Sequence, residues 1–167
     1  MGKKSTKENK NIYFEAREQA GLTRAEASEL IGTISESRLE KLETEKTAIV
    51  PEDVVDMARA YKKPELCNYY CTHECRIGKD TVPEVKASSL SEIVLGMLAA
   101  LNSLDSQKNR LIDITADGVI SDDELADFVS IQKQLDQIDL TVESLKLWVA
   151  STIADGKIDK EKLNKLR

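Results

Sequence analysis

Between Tyr13 and Tyr61 the apolar positions come in short runs at helical spacing, each bracketed by strong start and stop signals. Gly21-Leu22-Thr23-Arg24-Ala25-Glu26 opens one run and Leu30-Ile31-Gly32 closes it. Thr23 accepts from backbone N–H groups as an N-cap while Glu26 reaches back, a capping box, and Gly32 takes the left-handed conformation that stops a helix after Ile31. Ser35 caps the next helix, whose stripe is Leu39 and Leu42. Neither stripe is large enough to be buried alone, so both helices must share a small core with neighbours. Pro51-Glu52-Asp53 places proline at the first helical position and carboxylates in the first turn, and Val54, Val55, Ala58 and Tyr61 form the expected buried stripe. Pro64 ends that helix and opens another, predicted to run to Gly78.

The second half repeats the helical pattern on a larger scale. Lys79 to Ser88, with Pro83 and few apolar residues, reads as a linker. Ser89-Leu90-Ser91-Glu92 then starts a helix bearing Leu90, Ile93, Val94, Met97, Leu98, Leu101 and Leu104, a broad face suited to a partner helix. Two more helices are predicted, from about Asp122 to Gln137 and from Thr141 to Ala154, with Trp148 as a core or interface anchor. An internal echo joins them: Ala116-Asp117-Gly118 through Leu125 recurs as Ala154-Asp155-Gly156 through Leu163. The first copy also fits a twelve-residue calcium loop, with Asp113, Thr115 and Asp117 at the first ligand positions, Gly118 at the turn and Glu124 as the closing ligand. The second copy puts Lys162 at the closing position, where an ion needs oxygens. A simpler account covers both: Gly118 and Gly156 end helices, Ile120 and Ile158 plug the core, and Ser121 and Asp159 cap the next helices.

Taken in order, Arg17, Gly21-Leu22-Thr23, Leu30-Ile31-Gly32, Ser35, Leu39, Leu42, Glu43 and Pro51 fall where the lambda-repressor and Cro-like (XRE-type) helix-turn-helix regulators have counterparts. The chain resembles that family over roughly residues 10–65. It departs in having Arg24 where the family has glutamine, Ala27-Ser28 for a Leu-Ala pair, no glycine near Glu45, and a turn from Gly32 to Ser35 that is one residue longer. In this fold the third helix enters the DNA major groove. The resemblance therefore implies base-edge contacts from Glu36, Ser37 and Lys41, with Arg24, Thr44 and Lys46 placed for phosphates or groove edges.

Composition narrows the reading further. The 167 residues are 41% hydrophobic and 32% charged, enough to bury a core, and contain no run of 18 apolar residues that could span a membrane. Residues 1–10 hold four lysines without a hydrophobic segment behind them, so they read as a flexible basic arm, either placed on DNA phosphates or simply solubilising, and not as a secretory signal. The net charge is −6, and the excess acid lies in the second half. Cys67, Cys71, His73 and Cys75 are residue types that bind zinc and iron–sulfur centres. On one helix the three cysteines share a stripe within about 80°, His73 stands about 160° away, and Cys67 and Cys75 are about 12 Å apart. One ion could bridge only an adjacent pair, so the cysteines are expected to serve as small buried hydrophobes, with no metal and no cofactor. There is no glycine-rich phosphate cradle and no nucleophile beside the one histidine, which excludes an enzyme from the expectation.

The expected protein is all-α and cytoplasmic: a basic arm (1–10), a helix-turn-helix domain (11–78), a linker (79–88) and a helical dimerisation or signal-receiving domain (89–167). Its expected function is that of a sequence-specific transcriptional regulator binding double-stranded DNA as a homodimer through its C-terminal helices. The alternatives are a protein-interaction adaptor that has lost DNA binding and a calcium-responsive switch.

Overall fold

A computed structural model describes residues 10–166, and among these every regular element is a helix. In chain order they are α1 (Ile12–Gln19), α2 (Arg24–Ile31), α3 (Glu36–Glu43), α4 (Pro51–Ala60), α5 (Glu65–His73), α6 (Arg76–Thr81), α7 (Leu90–Thr115), α8 (Leu125–Ala154) and α9 (Lys160–Lys165). Two compact units result. One runs to Val82 and resumes at Ala150; the other spans Pro83–Val149. The stretch 89–167, read from sequence as one helical region, is thus shared between both units, and the two copies of the echo fall in different ones.

In the first unit, local punctuation fixes the short helices and a common core orients them. Asn11, Thr23 and Ser35 each accept a backbone N–H three residues on, and Thr23 with Glu26 completes the expected capping box. Gly32 ends α2 in the left-handed conformation. The core joins Tyr13 and Ala16 of α1, Ala27 of α2, Ile34 of the turn, Leu39 and Leu42 of α3, Val54, Met57, Ala58 and Tyr61 around α4, and Leu66 of α5. Two expected core positions are corrected. Leu30 is largely exposed, because Ala27 sits at the centre of the inward arc of α2 and Leu30 falls off its edge. Val55 is also exposed: Val54, Met57, Ala58 and Tyr61 lie within about 100° of one another, and Val55 lies outside that arc.

The helix after Pro64 does not reach Gly78. It stops at His73, and Cys75 in extended conformation caps α6. Gly78 lies inside α6, pressed against the backbone of Cys71, where a Cβ would collide with the Cys71 carbonyl. A side chain there would force α6 off α5, so this glycine marks a close helix crossing, not a helix end.

In the second unit the Ser89–Glu92 capping box starts α7 as expected. Ile93, Ala100 and Ile114 of α7 are buried, as are Ile131 and Thr141 of α8 and Val85 before α7. Gly96 faces Thr141, and a Cβ on it would meet the Thr141 methyl group at 3.5 Å, an ordinary van der Waals contact. The break expected between Gln137 and Thr141 is absent. No glycine or proline interrupts that stretch, and the Thr141 and Ser144 hydroxyls satisfy themselves on the Ile138 and Leu140 carbonyls within a continuous helix. At the first echo, Gly118 is left-handed as expected, but Ile120 is 41% exposed and plugs no core.

Candidate nucleic-acid interface

The apolar residues of α3 decide which way it faces. Leu39 and Leu42 point into the core, which leaves Glu36, Glu40, Thr44, Ser37 and Lys41 within an arc of about 140° on the opposite side at 100° per residue. Glu36, Ser37, Glu40 and Lys41 are exposed, and their side chains make no hydrogen bond or ion pair with another described residue. Thr44, the C-cap, donates its hydroxyl to the Glu40 carbonyl at 2.6 Å. Lys46 is exposed on the following turn, where its backbone N–H closes α3 on the Lys41 carbonyl at 2.8 Å.

The arc is held by ion pairs that sequence reading did not connect. Glu43 is almost fully buried and spans two cations: Arg17 of α1 donates Nε to Oε1 at 2.5 Å and Nη2 to Oε2 at 3.1 Å, while Arg24 at the start of α2 donates Nε to Oε2 at 2.7 Å. Side-chain exposure is 4% for Arg17, 1% for Glu43 and 30% for Arg24. Two charges taken from water need such saturation, and Arg17 gains a further acceptor in the Leu22 carbonyl. Two helices, α1 and α2, are thereby tied to the end of α3. At its start, Arg38 donates to both oxygens of Asp53 on α4, and Asp53 also accepts from the Val50 N–H. The signal was present as single charged residues on otherwise apolar faces.

Of the cations expected to face DNA, Arg24 is engaged in these pairs, as is Arg38 within α3, and Lys41 and Lys46 are not. The turn between α2 and α3 is pinned at Ile34, whose carbonyl accepts from Ser28 at 2.8 Å, and at Thr33, which donates to Asp56 at 2.6 Å. Ser28 thus secures the turn from Gly32 to Ser35. Glu45 adopts φ 57°, the left-handed conformation that a glycine would take without strain. Residues 1–9 of the predicted basic arm lie outside the described residues. Lys10 places its ammonium 5.4 Å from the centre of the Phe14 ring.

The cysteine cluster differs from its expected single stripe, because Cys75 lies beyond the end of α5. All three thiols are half-buried, and burial followed by the neighbouring Cys71 raises the Cys67 pKa. His73 stacks on Tyr69 with ring centres 4.2 Å apart. Among the described residues, no three His, Cys, Asp or Glu side chains converge on a position that could hold a metal ion. In the calcium-loop candidate, Asp113 and Thr115 lie within α7, where the Thr115 hydroxyl bonds the Leu111 carbonyl, and Glu124 accepts from the Ser121 N–H and hydroxyl. No described helix is long and apolar enough to cross a membrane.

Compared with known proteins, residues 14–66 match the helix-turn-helix family model. No curated protein and no solved structure matches the chain.

Proposed function

From the premise that residues 14–66 are a helix-turn-helix domain of the lambda-repressor and Cro-like, DNA-binding regulator type, we propose that the protein is a sequence-specific transcriptional regulator that binds double-stranded DNA as a dimer. The observation that carries this reading is the outward arc of α3, on which the side chains of Glu36, Ser37 and Lys41 have no partner among the described residues, with both helix ends clamped by buried or half-buried ion pairs. Such a helix enters the major groove with its N-terminal residues at the base edges. Lys46 and the Thr44 hydroxyl stand beside it for phosphate oxygens, and Arg24 reaches the backbone with the guanidinium nitrogens that Glu43 does not use. Phosphate contacts fix register; the contacts from α3 select sequence.

Dimerisation is inferred from need and from an available surface. One recognition helix spans few base pairs, and a two-fold dimer doubles the contact across half-sites about 34 Å apart. Leu90, Val94, Leu95, Leu98 and Leu101 are exposed along α7, a run of large apolar side chains that a second copy of this helix would cover. In this reading the unit Pro83–Val149 dimerises, and the protein works in the cytoplasm.

The test is selection of bound duplexes from random DNA by the full chain, with a salt titration of the selected site. Affinity is expected to fall steeply with salt, and Lys41→Ala and Arg24→Ala to weaken it most. Glu36, Glu40 and Glu45 outnumber Lys41 and Lys46, the cations beside α3 that are unpaired among the described residues, which favours a protein-binding adaptor as the second reading. A folded, dimeric protein that retains no duplex at low salt would overturn the DNA-binding reading and favour the adaptor instead.

A further inference from the structure

We propose that Glu36 and Glu40 are the specificity-determining residues of this surface and that they read cytosine, so that the operator half-site carries C·G pairs beneath α3. The inference rests on the DNA-binding reading above and assigns the chemistry of that same site.

The starting observation is a charge pattern that non-specific DNA binding does not explain. On the outward arc of α3, the side chains that make no hydrogen bond or ion pair among the described residues are two carboxylates, one hydroxyl and one ammonium. The arginine within α3, Arg38, is held by Asp53 of α4, and the arginine at the start of α2, Arg24, is held by Glu43, so neither neutralises Glu36 or Glu40. Against a phosphate backbone two uncompensated carboxylates are repelled, and they lower the affinity for duplex of arbitrary sequence.

An ionised carboxylate accepts hydrogen bonds and donates none. In the major groove guanine offers acceptors at N7 and O6, thymine an acceptor and a methyl group, adenine an acceptor beside its amine, and cytosine the N4 amine alone. Cytosine is therefore the base whose own groove edge presents only a donor, and it is the partner that satisfies a carboxylate without placing an acceptor against it. The guanine paired with that cytosine presents O6 and N7, which suit the ammonium of Lys41 on the same arc. Glu36 and Glu40 lie on one helical row about 6 Å apart along the axis, close to the rise of two base pairs. The pair of carboxylates and Lys41 together match a short C·G-containing step and mismatch an A·T tract.

This arrangement discriminates chiefly by penalty. A carboxylate over thymine or guanine is left buried and unpaired in the groove, and the wrong sequence is rejected. Removing the charge should therefore act in opposite directions on the two kinds of DNA.

The experiment uses the full chain as wild type, Glu36→Gln, Glu40→Gln and Lys41→Ala, all at exposed positions, with circular dichroism confirming that each is folded. Each protein is taken through selection from random duplexes and then titrated with the selected site, with the same site carrying A·T at each C·G contact, and with an A·T-only duplex. Wild type is expected to select C·G pairs and to prefer them by about 5- to 150-fold per contact. Each Glu→Gln variant should lose most of the preference at one position while binding the A·T-only duplex several-fold more tightly; Lys41→Ala should bind all duplexes more weakly. If wild type selects defined sites but lacks C·G at the contacts, or if both Glu→Gln variants keep the wild-type preference, the cytosine assignment is overturned and the DNA-binding reading stands. If none of the four proteins retains any duplex at low salt, the DNA-binding reading itself fails, and the assignment with it.

Discussion

Replacing Glu43 with leucine removes the carboxylate on which three helices converge, and the structure sets the scale of the loss. Both carboxylate oxygens are occupied, by Arg17 Nε at 2.5 Å and Arg17 Nη2 at 3.1 Å and by Arg24 Nε at 2.7 Å. Arg17 is only 4% exposed, so without Glu43 its guanidinium keeps the Leu22 carbonyl and the half-exposed Glu18 and gains no water in exchange. Breaking a buried pair from one side costs about 3–5 kcal/mol, because the remaining charge is uncompensated. Arg24 is 30% exposed and can turn to solvent, so Arg24→Ala is expected to cost about 1 kcal/mol or less. The decisive variant is Arg17→Met with Glu43→Leu, which replaces both buried charges by apolar groups and should recover most of the loss. Urea denaturation of the full chain, monitored by circular dichroism, measures all four proteins, and in a thermal scan each kcal/mol moves the midpoint of a domain this size by about 4–8 °C. A Glu43→Leu protein within about 1 kcal/mol of wild type, or a double variant no more stable than the single, would refute the claim that this carboxylate holds the interface helix.

Glu45→Gly should raise the melting midpoint by a few degrees, since a non-glycine residue at φ 57° costs about 1–2 kcal/mol that the entropy of the unfolded glycine only partly offsets; a lower midpoint would contradict the left-handed loop. Tyr13 has its hydroxyl pKa raised by burial and then by donation to Glu74 at 2.6 Å, and Tyr61 is raised by burial and the nearby Glu43. Folded-state values above the unfolded one mean that this stability is intact below about pH 10 and is lost as pH rises beyond it, so chemical denaturation should show a decline above about pH 10 that Tyr13→Phe makes shallower. Cys67, with its thiol pKa raised by burial and Cys71, should alkylate at about pH 8 more slowly than the same cysteine in the urea-unfolded chain; equal rates would show that the α5 stripe is open.

What was legible from the sequence was punctuation. Thr23, Gly32, Ser35 and Ser89 act within four residues of themselves, so their roles follow from local chemistry and are those the structure displays. Burial was less legible where a helix carries more apolar residues than its inward arc accepts: Leu30 and Val55 have the right chemistry and the wrong angle. Gly78 misled because a glycine that ends a helix and one that permits another helix to approach look alike until the neighbour, here Cys71, is known. The candidate surface was read through a resemblance; Glu36, Ser37 and Lys41 stand on the outward arc of α3, whereas Arg24 lies at the start of α2 and Lys46 on the turn after α3. Its supports were not found, since Arg17, Arg24 and Glu43 are 7 and 19 positions apart and nothing local to any of them announces a partner. The continuous α8 was hidden by polar residues around Asp139, which a long exposed helix tolerates without a break.

The measurement that bears most directly on the central claim is the change in backbone amide resonances of the isotopically labelled full chain when a selected duplex is added. The largest changes are expected on Glu36, Ser37, Glu40, Lys41, Thr44 and Lys46, with smaller ones at Arg24, and all should shrink as salt is raised. Changes confined to other helices, with residues 36–46 unmoved while duplex is bound, would contradict that claim.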